Sequence, residues 1–348
     1  MKLLILNTLP FGKLVDCYKW CTYLRKDYDI TLICLDDDVR LEMEGVHIVR
    51  VSTRGSYKIR GIRYILICLW HLLFFRGGVF VVYFEHCDFL KRVFFWKKMH
   101  VDVRTVAVWG DQQTRDRFDR RMRKECLRFD TVSVISEGVK ARLGLDKASI
   151  LPLGADEISV VPKHFDGPFS LLYVGSLDRD ILKTVQGFHQ FLKLHPEIPM
   201  HYDIIGHGYR QMDEVRDYVA ENGLWDFVTM HGRIPHTQLQ PFFDKCNIGV
   251  SFVPMTEYYD NQPATKTFEY VFSGLFTIAT GTAANKEVIT GENGCIIRDT
   301  AEDFCAALEM LAKHGAKYDS ERIRQSLRDY AWPNIVDKSL RPIIREMA

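Results

Sequence analysis

The sequence predicts an α/β protein of two Rossmann-like domains facing each other across a cleft, and three observations lead there. The chain opens with strand–helix–strand grammar: Met1-Lys2-Leu3-Leu4-Ile5-Leu6, a helical segment, then Ile30-Thr31-Leu32-Ile33-Cys34-Leu35. That order marks a parallel, doubly wound sheet. The same grammar starts afresh at Leu171-Leu172-Tyr173-Val174-Gly175. At 348 residues the chain also exceeds what one hydrophobic core usually organises.

In the first half, the opening apolar run is too short, and too soon interrupted by Asn7, for a secretory signal. It reads as a buried strand running into the loop Asn7-Thr8-Leu9-Pro10-Phe11-Gly12, with a helix over residues 14–24. Residues 79–84 and 105–108 continue the strands, and 131–136 and 150–154 close the half. Residues 161–170 hold Pro162, Gly167 and Pro168 and read as a linker. In the second half a helix spans 184–194, and Tyr202-Asp203-Ile204-Ile205-Gly206-His207-Gly208 is a strand with a Gly-x-Gly exit. Residues 227–232, 248–252 and 277–280 follow at strand–helix intervals. Sheets of this kind bind ligands outside the carboxyl ends of their strands.

Composition narrows the function. Hydrophobic residues at 47% and charged residues at 26% describe a globular protein, and a net charge of +1 supplies no field for nucleic acid. Nine cysteines without a CxxC pair fit reduced thiols in a cytosolic compartment. Gly206-x-Gly208 lacks the third small residue of a dinucleotide fingerprint, since Gln211 stands there, so a nicotinamide enzyme is not expected.

The most informative segment is Pro263-Ala264-Thr265-Lys266-Thr267-Phe268-Glu269-Tyr270, running into Ser273-Gly274. As a helix opened by Pro263 it has two faces. Phe268, Val271, Phe272 and Leu275 fall at the spacing of a buried stripe. Lys266 and Glu269 lie one turn apart on the other side. A lysine in a first turn is out of place unless an anion binds there, and a carboxylate one turn deeper accepts from sugar hydroxyls. The segment reads either as a seat for a nucleotide diphosphate and its ribose or as a surface ion pair.

Taken in order, these pieces resemble the GT-B glycosyltransferases, and among them the family-4-type retaining enzymes. The resemblance is strongest from Leu171 to Pro333. It rests on Tyr173-Val174-Gly175-Ser176-Leu177, Ile204-Ile205-Gly206-His207-Gly208, Val228-Thr229-Met230-His231-Gly232-Arg233-Ile234-Pro235, Asn247-Ile248-Gly249-Val250-Ser251-Phe252-Val253-Pro254 and the Lys266–Glu269 segment. Val134-Ile135-Ser136-Glu137 and Ile150-Leu151-Pro152-Leu153-Gly154-Ala155-Asp156 match the end of the family's first domain. The resemblance implies an N-terminal acceptor domain over residues 1–163, a nucleotide-sugar domain over 164–330, and a last helix, 331–348, crossing back to the first domain.

It also implies a site. Glu269 matches the second glutamate of the family's two-glutamate signature, which holds the donor ribose, and Lys266 matches a lysine near the diphosphate. Asn261 stands where the first glutamate belongs, which puts donor-sugar contacts in question. Ser176 replaces a frequent phosphate-gripping arginine, and Arg179 and Lys183 are the nearby substitutes. Gly206 and Thr265 fall in the same donor site, Arg233 and Ile234 resemble the loop over the nucleotide base, and Gly12 with Lys13 would face the diphosphate. Retaining transfer of this type needs no obvious enzyme nucleophile. Asp111 leads, and His86 follows beside Glu85, as an acid–base group from the first domain.

The implied activity moves a hexose from a UDP- or GDP-sugar to a glycan or lipid-linked acceptor, with no metal and no cofactor beyond the donor. Asp36-Asp37-Asp38 reads as a loop rather than a metal site. The alternatives are a nucleotide-sugar-binding protein without catalysis and an epimerase-like enzyme acting on the donor itself.

Residues 64–75 form a very apolar stretch led by Arg60-Gly61-Ile62-Arg63, shorter than the roughly 20 residues of a spanning helix. Lys91-Arg92-Val93-Phe94-Phe95-Trp96-Lys97-Lys98 adds a basic–aromatic cluster. Both fit either helices covering the first sheet, with Leu66, Leu69 and Leu73 inward, or peripheral attachment to the inner face of a membrane.

Overall fold

The computed structural model describes residues 1–347, which divide into two compact units: Met1–Gly154 with the segment from Trp332 onward, and Ala155–Ala331. Each is built on one wholly parallel sheet.

The strands of the first unit are β1 (Lys2–Leu6), β2 (Asp29–Leu35), β3 (Val46–Val51), β4 (Gly78–Val82), β5 (Met99–Val103), β6 (Thr131–Val134) and β7 (Ser149–Ile150). Their order is β3-β2-β1-β4-β5-β6-β7. Helices α1 (Val15–Leu24), α2 (Tyr57–Phe74), α3 (Asp88–Val93), α4 (Gln112–Cys126) and α5 (Glu137–Leu143) connect them. β4 and β5 are buried along their whole length, as central parallel strands covered on both faces should be. Residues 105–108 are not a strand: the sheet takes Met99–Val103 instead, and 105–108 lie in the loop leading to α4. His100 and Asp102 interrupt the apolar run there, yet both are buried, hydrogen-bonded through Ser133. β3, only half-buried, is a strand the sequence reading passes over.

α2 buries Tyr64, Cys68 and Leu72. Leu66 and Leu73, expected to cover the sheet, are exposed, because the inward face is rotated by about half a turn from theirs. No helix of the described residues is long and apolar enough to cross a membrane. The Asp36–Asp38 loop is held by ion pairs, Asp37 with Lys13 at 3.8 Å and Asp36 with Arg40 at 3.1 Å.

The second unit contains β8 (Phe169–Ser176), β9 (Met200–His207), β10 (Val228–Gly232), β11 (Ile248–Ser251), β12 (Phe276–Thr280) and β13 (Gly294–Ile297), ordered β10-β9-β8-β11-β12-β13. Its helices are α6 (Leu182–Leu194), α7 (Gln211–Glu221), α8 (Gln240–Lys245), α9 (Glu257–Asp260), α10 (Thr265–Phe272), α11 (Ala283–Val288), α12 (Ala301–His314) and α13 (Ser320–Gln325). From Trp332 the chain returns to the first unit as α14 (Trp332–Ile335) and α15 (Arg341–Glu346). In both sheets the strand order reverses beside the first strand of the unit, which is the point where doubly wound sheets open a binding crevice.

Candidate donor-binding site

The reversal in the second sheet lies between β8 and β11. These strands pair only at Ile248 with Leu171 and Gly249 with Leu172, so their carboxyl ends diverge. α10 starts at that opening. Its first residue is Thr265, with Ala264 extended before it, so Pro263 stands outside the helix instead of opening it. Lys266 is therefore the second helical residue, closer to the unpaired amides of the helix start than the sequence suggests. Thr267 ties this turn down: its hydroxyl lies 2.5 Å from Ser251 Oγ and 3.1 Å from Asn285 Oδ1. Gly274, at φ 74°, ends the helix, and Leu275 N–H donates back to Tyr270 O.

The helix is buried on every side. Phe268, Val271, Phe272 and Leu275 are in the core as expected. Lys266 and Glu269, however, are only 6% and 7% exposed, which removes the surface-ion-pair reading. The partner of Glu269 is His236, whose Nε2 lies 2.8 Å from Oε1.

The Lys266 ammonium donates to Phe252 O at 3.4 Å and lies 3.8 Å above the centre of the Tyr173 ring. Burial, then the nearby Arg179 charge, pushes its pKa well below the usual lysine range. A buried cation held by a long carbonyl contact and a ring face, with a second cation beside it, favours a bound anion.

Gly175 and Gly206 lie near the carboxyl ends of β8 and β9. They are opposite each other in the β8–β9 register, at φ 153° and 151°. A Cβ on Gly206 would lie 1.7 Å from Gly175 O, and one on Gly175 would lie 3.5 Å from Lys266 Nζ. The Gly206-x-Gly208 exit is wrapped around Asp178, whose carboxylate accepts the amides of Tyr209, Arg210 and Gln211 at 2.8 to 3.0 Å. Those bonds lower its pKa.

The other expected positions divide. Arg179 stacks over Tyr259 at 5.5 Å, while Lys183 is turned to Asp180 at 3.4 Å. Thr265 and Asn261 are half-buried, Asn261 at the end of α9 just before the α10 turn. Arg233 is exposed after β10, and Ile234 packs on the core cluster of Phe243 and Tyr270. Sequence reasoning missed Tyr173 and His236. A histidine two residues past Ile234 in the base-loop segment was the available signal for the second.

In the first unit, the reversal lies between β1 and β4. Gly12, at φ 92°, is in the loop after β1, and His86 follows β4. His86 has a positive φ of 69°, a strained state for a non-glycine residue. Its backbone N–H donates to the buried Glu125 carboxylate at 3.0 Å, and its Nδ1 lies 3.5 Å from the same group. Tyr83 Oη also donates to Glu125, at 3.0 Å. Asp111 is the N-cap of α4, accepting from Thr114 N at 2.8 Å. Hydrogen bonding by the Thr114 side chain, then by its backbone N–H, lowers the Asp111 pKa, so the carboxylate serves the helix start.

Comparison with known proteins agrees with this architecture. Residues 168–314 match the family model described as glycosyl transferases group 1. Sucrose-phosphate synthase from Thermosynechococcus elongatus is similar over 100% of this chain and 99% of its own, with a TM-score of 0.75 and 15% identity. The lipopolysaccharide outer core galactosyltransferase WaaB, in its apo form, is similar over 99% of this chain and 100% of its own, at 0.69 and 14%. HepE of Anabaena, in complex with UDP and glucose, covers 99% of each chain, at 0.73 and 10%. No curated protein matches the chain significantly by sequence. The fold is that of the GT-B glycosyltransferases, two Rossmann-like domains, as the sequence resemblance implies.

Proposed function

We propose that this GT-B-fold chain, whose residues 168–314 carry the group 1 glycosyl transferase pattern, moves a hexose from a nucleotide diphosphate sugar to a glycan or lipid-linked acceptor with retention. The observation that carries this reading is Lys266: a buried ammonium at a helix start, at the sheet's reversal point, beside Arg179 and with no carboxylate partner among the described residues. A diphosphate supplies the missing charge. Glu269, one turn deeper and oriented by His236, takes the ribose hydroxyls. HepE, described in complex with UDP and glucose, supports UDP as the nucleotide to test first.

In the transfer itself, the bond from the anomeric carbon to the diphosphate oxygen breaks. A bond from the acceptor oxygen to the same carbon forms on the same face. The acceptor proton passes to the departing phosphate, and the products are glycosylated acceptor and nucleoside diphosphate. Lys266, Arg179 and the first amides of α10 stabilise the charge that grows on the leaving group. Of the two acid–base candidates, His86 fits better, because Glu125 orients an exposed imidazole, whereas Asp111 is occupied as a helix cap.

Asn261 favours a second reading, a protein that binds the donor without turning it over. A thermal-shift screen of nucleotide sugars tests the common ground of both. Stabilisation by one class of nucleotide sugar, lost in Lys266→Met, supports a donor site. Absence of any shift across UDP-, GDP- and other nucleotide sugars would sink it.

A further inference from the structure

The outer face of α2 is as apolar as its inner face. Ile59, Ile62, Leu66, Trp70 and Leu73 recur at intervals of three and four, opposite the buried Tyr64, Cys68 and Leu72, and all five are exposed. Leu66 is 60% and Trp70 65% exposed. A helix covering a sheet in water normally carries a polar outer stripe, and one that is apolar all round belongs in a core or against lipid.

A second exposed apolar group adjoins it. Lys97 Nζ donates to Phe75 O at 2.7 Å, tying the end of α2 to the turn after α3, where Phe95 and Trp96 project. Phe95 is 74% exposed, and its ring packs edge-on against Trp96 at 5.0 Å. Trp70 and Phe74 make the same kind of pair on α2, at 5.1 Å.

Charge sets the occupant. No Asp or Glu falls between Glu44 and Glu85, whereas Arg54, Lys58, Arg60, Arg63 and Arg76 do, and Lys97 and Lys98 flank the second aromatic pair. Tryptophan and phenylalanine rimmed by lysine and arginine suit the boundary between headgroups and acyl chains of an anionic bilayer. At about 1.5 Å per residue, α2 is roughly 27 Å long, enough to lie along the surface.

We infer that the outer face of α2, with Phe95 and Trp96, is a docking surface for an anionic lipid bilayer, on which the protein lies without crossing it. The inference stands apart from the donor site and does not depend on it.

The test is sedimentation of the full chain with vesicles, either phosphatidylcholine alone or phosphatidylcholine containing phosphatidylglycerol. Binding to the anionic vesicles, weakened by salt, is expected. The double variant Leu66→Glu/Trp70→Glu should bind about tenfold or more weakly with an unchanged melting curve, since both side chains are already in water. Phe95→Glu/Trp96→Glu repeats the test should the first variant fold poorly. Wild-type protein that stays in the supernatant with anionic vesicles, or variants that bind as well as wild type, would overturn the inference. So would wild-type self-association, abolished by the substitutions, in a protein that ignores vesicles; that result would assign the face to a second copy of the chain.

Discussion

Lys266→Met should stabilise the ligand-free protein while removing its response to nucleoside diphosphate. A lysine ammonium moved from water to this site loses solvation at an effective cost of several kcal/mol. Against that stand the Tyr173 ring, 3.8 Å away, contributing about 2 kcal/mol, and a 3.4 Å carbonyl contact contributing under about 1 kcal/mol. Methionine has nearly the same length and leaves no large cavity. The net expectation is a gain of about 1–2 kcal/mol in the empty protein, read from urea midpoints. The sign of the pH dependence agrees. Because the folded pKa lies below the ordinary 10.5, the unfolded chain holds more protons between those values. Wild-type stability therefore rises with pH through that window, and Lys266→Met lacks the rise. With UDP at about a hundred times its Kd, wild type gains about 2.7 kcal/mol and the variant little. A variant that is destabilised by more than about 1 kcal/mol and still responds fully to UDP would refute the assignment of Lys266 to an anion seat.

Other consequences are open to direct measurement. His86→Ala should lower kcat about a hundredfold, whereas Asp111→Ala should mainly lower the melting temperature through the lost α4 cap; the opposite pattern would reverse their proposed roles. His236→Gln should raise the donor KM about two- to fivefold with little change in kcat, a modest effect because the imidazole is partly in water. Gly206→Ala should cost about 3 kcal/mol or more, since its Cβ would lie 1.7 Å from Gly175 O on a positive-φ backbone; a near-neutral urea midpoint would contradict that crowding.

Much of the fold was legible because parallel strands buried on both faces leave continuous apolar runs, as at β1, β2 and β8. β5 was misplaced because His100 and Asp102 break its run, and only the structure reveals Ser133 bonded to both. α2 was found, but not its orientation, since an apolar residue occupies nearly every position and periodicity gives no inward face. At the candidate site, Lys266 and Glu269 could be read from a helix pattern. Their burial, the Tyr173 ring and the His236 partner could not, because those contacts join residues distant in sequence.

Acceptor-dependent donor turnover tests the central claim most directly. Release of nucleoside diphosphate from the stabilising nucleotide sugar is measured with and without glycan or glycolipid acceptors, for wild type and Glu269→Ala. Transfer predicts release that requires acceptor, a product with the donor's anomeric configuration, and loss of both in a Glu269→Ala protein that remains folded. Tight donor binding without release under any acceptor, donor conversion without acceptor, or full turnover by Glu269→Ala would contradict it.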